Sequence, residues 1–186
     1  MIYTVELNFS DPSCLEEWSA WYNTYLRQLV TVPGLHSAQR FRAVNGNAAP
    51  WEFLALYNLA SLDVYEHATY RSIGGGGNAS KAYHHAISRR RNVYNGINGF
   101  PEVSADARLL LTGGVTAPPV LGDVLFVPLS AGAGAQQAGA TRLDGQPQER
   151  CIALAHAATV AGLDPAALDG VTIYAPMTER YSISMA

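Results

Sequence analysis

A chain of 186 residues with a 48% hydrophobic share can bury a sizeable core, and its length falls between one domain and two small fused repeats. Its formal net charge of -3, from 12 basic and 15 acidic residues, leaves no broad positive field, which excludes nucleic acid binding driven by counterion release. The two cysteines, Cys14 and Cys151, stand outside any CxxC or Cys/His ligand spacing and argue against a disulfide framework or a structural zinc site.

Residues 2–9 alternate, with Tyr3, Val5, Leu7 and Phe9 on one face and Thr4, Glu6 and Asn8 on the other, which predicts a strand. Ser10-Asp11-Pro12-Ser13 supplies turn and capping chemistry. From Leu15 the spacing shifts to Trp18, Tyr22, Tyr25 or Leu26, and Leu29, the one-face stripe of a helix about five turns long, stopped by Val32-Pro33-Gly34. Residues 35–44 read as a second strand, Asn45-Gly46-Asn47 as a hairpin turn and residues 51–59 as a third strand. Ser61 then caps a helix carrying Val64, Tyr65, Ala68 and Thr69, which ends at Gly74-Gly75-Gly76-Gly77. That run lacks the Lys-Ser/Thr of a phosphate loop and is expected to be a flexible connection or a mobile lid.

Residues 79–94 carry Tyr83, Ala86, Ile87 and Tyr94 at helical spacing, so a further helix is predicted there, ending at Asn95-Gly96. On such a helix Arg89, Arg90 and Arg91 fan around the circumference and read as a solvated surface, or secondarily as an anion contact. The second half is Gly/Ala-rich, with strand-like stretches at residues 123–129, 140–143, 151–157 and 171–175. Phe53-Leu54-Ala55-Leu56 followed by Leu62-Asp63 has a faint echo in Ile152-Ala153-Leu154-Ala155 followed by Leu163-Asp164, a weak internal repeat. No apolar run approaches the roughly 18 residues of a membrane span. The opening Ile2-Tyr3-Thr4-Val5 is not a basic stretch followed by an apolar one, so no secretory signal is read and the cytoplasm is the expected location.

With Trp21-Tyr22-Asn23-Thr24, Val32-Pro33-Gly34, Ala38-Gln39-Arg40-Phe41 and Tyr57, the sequence resembles the EthD-like branch of the dimeric α/β-barrel superfamily, over residues 1–73 and loosely to 97. The resemblance implies an α+β fold, a ferredoxin-like β-α-β-β-α-β unit forming a dimeric or fused pseudo-dimeric α/β barrel. Residues 1–100 would be that unit, and residues 101–186 a second, truncated and degenerate repeat packing on it. A sheet with helices on one face needs cover on the other, and the nearly all-apolar residues 53–59 agree with a paired sheet. Where the family has a histidine after Trp-Tyr, this chain has Tyr25 and Leu26, so that histidine's role does not transfer.

The candidates for proton transfer are His36, His67, His84, His85 and His156. His36 reads as a polar strand residue and His156, in an apolar strand, as a core residue. The expected site is a pocket between the helices and the sheet of the first unit. Tyr22, Tyr57, His67 and His84 are its candidate catalytic residues, and Arg40, Trp18, Trp21 and Tyr70 its substrate contacts. Arg40 would hold an acidic substrate group, or else pair with Glu6 or Glu52. The same aromatic residues also suit plain core packing. The resemblance implies a small cofactor-independent enzyme of lyase, isomerase, cyclase, decarboxylase or oxygenase type. It would move protons on a small cyclic or aromatic catabolic or polyketide-type intermediate. The alternative is a non-catalytic accessory or ligand-binding protein of the same fold. No cofactor and no metal are expected, and the partners would be a small-molecule substrate and further copies of the chain, as a homodimer or higher homo-oligomer.

Overall fold

The computed structural model describes residues 1–44, 49–132 and 134–183, so the turn expected at residues 45–47 lies outside it. β1 (Ile2–Phe9) leads through a 3-10 turn (Pro12–Cys14) into α1 (Leu15–Leu29), followed by β2 (Leu35–Ala43) and β3 (Phe53–Leu59). A 3-10 segment (Leu62–Glu66), the short α2 (Ala68–Ser72) and a 3-10 strap (Gly75–Tyr83) lead to β4 (Ile87–Asn95). The second half holds β5 (Ala107–Thr112), β6 (Val127–Ala131), β7 (Gln136–Ala138), β8 (Thr141–Leu143), β9 (Glu149–His156), α3 (Ala157–Ala161), β10 (Val171–Pro176) and β11 (Tyr181–Ser182).

One nine-stranded sheet runs β10-β5-β9-β6-β4-β1-β3-β2-β11, and a further β10–β2 pairing closes it into an antiparallel barrel within one chain. The first half contributes its strands in the order β4-β1-β3-β2, and the second half in the matching order β10-β5-β9-β6. The joins match too, since β4 meets β6 as β10 meets β2. The second half thus covers the sheet face that the first half alone would leave wet, so a partner chain is not needed for that purpose.

The barrel interior takes apolar side chains from both halves, among them Ile2, Leu54, Tyr94, Leu109, Ile152 and Tyr174. It also buries Glu6, whose carboxylate accepts from Arg90 Nε at 2.8 Å and from Arg150 Nη1 at 3.2 Å. On the outer face of the first half, Tyr3, Val5, Leu7 and Phe9 meet Trp18, Tyr22, Leu26 and Leu29 of α1. On the outer face of the second half, Leu110, Ala153 and Ile173 meet Val160 and Leu168 under short helical pieces. Among the described residues no helix is long and apolar enough to cross a membrane.

Two sequence expectations change here. Residues 87–95, read as part of a helix, form β4, which pairs with β1 from Ile2↔Tyr94 to Phe9↔Ile87; a complete ladder outweighs the helical spacing of a few apolar residues. The arginine run therefore follows the period of a strand rather than fanning around a helix. Arg90 turns into the barrel toward Glu6, while Arg89 and Arg91 turn outward toward α1. The glycine run is no free linker either. Gly75 lies so close to Tyr70 that a Cβ there would meet the ring at 2.3 Å, and one on Gly76, with φ +75, would meet the Ala140 carbonyl at 1.9 Å.

Candidate active site

The stripe of α1 and the outward residues of β1 and β3 are both aromatic-rich, and where they meet they do not fill the space. A narrow cavity of about 50 Å³, or about 580 Å³ when its open mouth is counted, lies between them. Tyr3 and Val5 of β1 and Tyr57 of β3 form its floor, and Trp18, Tyr22 and Tyr25 of α1 one wall. Tyr65 and Tyr70 stand opposite, while Gly76, Gly77 and Ser80 of the strap, with Arg89 and Arg91 of β4, close the remaining side. The rings support one another: Tyr3 lies 5.1 Å from Tyr57 and 5.5 Å from Tyr65, and Trp21 stacks on Tyr25 at 5.4 Å.

The hydroxyls make this more than a core. Those of Tyr22 and Tyr57 lie 3.3 Å apart. Tyr70 Oη accepts from the Gly76 N–H at 2.9 Å and shares a hydrogen with Thr141 Oγ1 at 2.5 Å. The hydroxyl of Tyr65 and the indole N–H of Trp18 are buried without a hydrogen-bond partner among the described residues. A buried polar atom left so costs about 1–3 kcal/mol. Burial pushes the phenols of Tyr3, Tyr22, Tyr57 and Tyr65 above their ordinary range, so at neutral pH they are hydrogen-bond donors. Arg89 Nη1 donates to Ser80 Oγ at 3.2 Å, and Arg91 Nη1 to the Gly76 carbonyl at 3.2 Å.

Of the residues expected from sequence, Trp18, Trp21, Tyr22, Tyr57 and Tyr70 all line this cavity. His84 sits one layer out, exposed, with Nε2 3.2 Å from Ser80 Oγ and 3.0 Å from the Gly77 carbonyl. His67 is exposed and does not reach the cavity: its Nδ1 accepts from the Thr69 N–H at 3.1 Å, capping α2. His156, expected in the core, is likewise an exposed cap, accepting from the Ala158 N–H at 3.2 Å, because β9 ends there. Arg40 is buried behind the wall, its guanidinium over the Trp18 and Tyr22 rings and its Nη1 donating to Asn23 Oδ1 at 2.8 Å. It pairs with neither glutamate considered for it, since Glu6 faces the barrel interior and Glu52 pairs with Arg42.

Sequence reading missed Arg89 and Arg91, and also Tyr3, as lining residues. The signal was an Arg-x-Arg alternation, continued by Val93, legible only once the stretch is read with period two. Asp11, Cys14 and His85 also bring ligand-type atoms within 4.8 Å of one another at the surface, a grouping that no sequence spacing announces. A roomier but more polar opening at the barrel end, about 1050 Å³ with its mouth, shows Arg90 and Arg150, both already bonded to Glu6.

No protein-family model matches the chain, and no curated protein matches it. Two solved structures share its fold over nearly their whole lengths. One is an anthrone oxidase-like protein, 11% identical, with a TM-score of 0.53, covering 100% of this chain and 96% of its own. The other is the "putative monooxygenase from Lactobacillus acidophilus NCFM", 7% identical, with a TM-score of 0.50, covering 98% of this chain and 99% of its own. The barrel is therefore of the dimeric α/β-barrel type, here closed by a single chain.

Proposed function

We propose that the chain is a small enzyme that needs no cofactor and moves a proton on a flat phenolic or enolisable molecule held in the aromatic cavity. The observation that carries this reading is the set of phenol hydroxyls in a largely apolar pocket, one of them, Tyr65, buried without a partner among the described residues. Plain packing would favour phenylalanine at such positions, because a hydroxyl without a partner is costly. Of the Tyr22 and Tyr57 hydroxyls, one would donate to the other and that other to the substrate oxygen as it gains charge, a role worth about 10²-fold or more. Ser80 would contact the substrate, and its hydroxyl, which donates to the Gly77 carbonyl at 2.9 Å, would turn to His84 Nε2 and pass the proton on. Once the histidine is charged, its Nε2–H has the Gly77 carbonyl waiting as acceptor. Within the superfamily, the Trp21-Tyr22 pair on the first helix supports the EthD-like branch.

The names of both structural neighbours favour an oxidation, in which the deprotonated substrate would pass electrons to dioxygen. Anthrone separates the steps. In D2O under nitrogen, enzyme-dependent exchange of its methylene protons reports proton abstraction alone, and oxygen uptake in air reports oxidation. Exchange should fall about 100-fold in Tyr57→Phe and at least tenfold in Ser80→Ala and His84→Ala, with His67→Ala unchanged. A second reading, a non-catalytic binding protein, draws on the fact that no histidine lines the cavity. Tight anthrone binding with no exchange above buffer would establish it and end the enzyme reading.

A further inference from the structure

We propose that the molecule held in the aromatic cavity carries a carboxylate or phosphate group, and that Arg89, Arg91 and Arg142 receive it in a trough on the far side of the glycine strap. This rests on reading the cavity as the seat of a flat aromatic body. The trough has about 650 Å³, counting its mouth, and borders the aromatic cavity across Gly76, Arg89 and Arg91, which line both. The remaining polar side chains that line it are Gln137, Arg142 and Asp144.

Three guanidinium groups here face one carboxylate, and that carboxylate is engaged, since Asp144 Oδ2 accepts from the Arg91 backbone N–H at 2.8 Å. Among the described residues, Arg89, Arg91 and Arg142 form no ion pair. The side chains of Arg89 and Arg91 spend their bonds on neutral oxygens, Ser80 Oγ and the Gly76 carbonyl. Both close on the same point of the strap: a Cβ on Gly77 would lie 2.7 Å from Arg91 Nη2 and 2.8 Å from Arg89 Nη2. Two like charges side by side, with Arg91 only 9% exposed, cost energy that an anion between them returns. Burial, and then the neighbouring Arg91, also press the Arg89 pKa below its ordinary value. A protein that wanted only a stable strand would place neutral residues there. Arg142, exposed on β8, extends the same field to the mouth.

Trp18 and Trp21 line the cavity, so their fluorescence reports occupancy. Naphthol, hydroxynaphthoate and naphthyl phosphate are titrated into the wild-type chain and into Arg142→Gln, a surface change outside the proposed catalytic set. At least one anionic probe should bind roughly tenfold more tightly than naphthol, less so in high salt. Arg142→Gln should weaken that probe threefold or more and leave naphthol unchanged. Whichever anionic probe binds more tightly identifies the group as carboxylate or phosphate. Equal binding of all three probes, or no loss in Arg142→Gln, overturns the anionic group while naphthol binding leaves the aromatic seat standing. No binding by any probe overturns both.

Discussion

The two halves of the barrel have the same strand order and the same kinds of join, and among the described residues the aromatic cavity lies on the outer face of the first. Even small devices match: His67 and His156 each cap the short helix that follows the third strand of their half. The difference lies in the cover. The first half lays a 15-residue helix of tryptophan and tyrosine over its sheet, and large flat rings leave gaps where they cannot interlock. The second half covers the matching face chiefly with valine, leucine and alanine on 3-10 turns and a five-residue helix. The lesson is that the barrel supplies a frame and the layer outside it decides where chemistry can occur.

If so, the long helix anchors the first half far more than any one residue anchors the second. Trp18, fully buried, stacks on Phe9 at 4.5 Å and meets Phe53 at 5.1 Å. Trp18→Ala should destabilise by about 4 kcal/mol in urea unfolding, against about 2 kcal/mol for Leu168→Ala on the opposite face. Equal losses, or a larger one at Leu168, would break the comparison at its root.

Two glycines, one in the strap and one in the loop between β6 and β7, sharpen it further. Gly76 and Gly134 both have positive φ, +75 and +72, but a Cβ on Gly76 would strike Ala140 whereas one on Gly134 meets nothing. Gly134→Ala should therefore cost only the backbone term, about 1 kcal/mol, and Gly76→Ala at least about 2 kcal/mol. Only the second should also weaken naphthol binding, because Gly76 borders the cavity. Similar losses at both would mean that the strap is looser than its packing shows.

What was legible in the sequence follows the same divide. The first strand, α1 over Leu15–Leu29 and the pairing of Tyr22 with Tyr57 were readable because amphipathic periodicity was strong and uninterrupted. β4 was not, because Tyr83, Ala86, Ile87 and Tyr94 mimic a helical stripe and only the ladder with β1 settles the matter. β5 went unassigned since Leu109, Leu110 and Leu111 are buried on both faces and show no period at all. The arginines of the site were lost with β4, and His67 was overvalued because a residue type suited to proton transfer also makes a good helix cap.

The smallest effect expected concerns two exposed aspartates, one in each half. Asp11 Oδ1 accepts from the Ser13 hydroxyl at 2.6 Å and from its N–H at 3.0 Å, which lowers its pKa to about 2. Asp106 Oδ1 accepts from the Ser104 hydroxyl at 2.5 Å, and its pKa is lowered mainly for that reason. In each the folded value lies below the unfolded one. The stabilisation is therefore present above the ordinary value near 3.9 and is lost as pH falls through the folded value. Carboxyl carbon shifts followed by NMR should place the Asp11 midpoint near 2, and Ser13→Ala should move it up toward the ordinary value. Ser104→Ala should raise the Asp106 midpoint in the same direction. Thermal melts of wild type and Asp11→Ala should differ slightly at neutral pH and converge in strong acid, where the protonated carboxyl no longer accepts as a charge. Convergence on raising the pH instead would show that the Ser13 bonds do not hold the charge, and that the first turn before α1 is set by Pro12 alone.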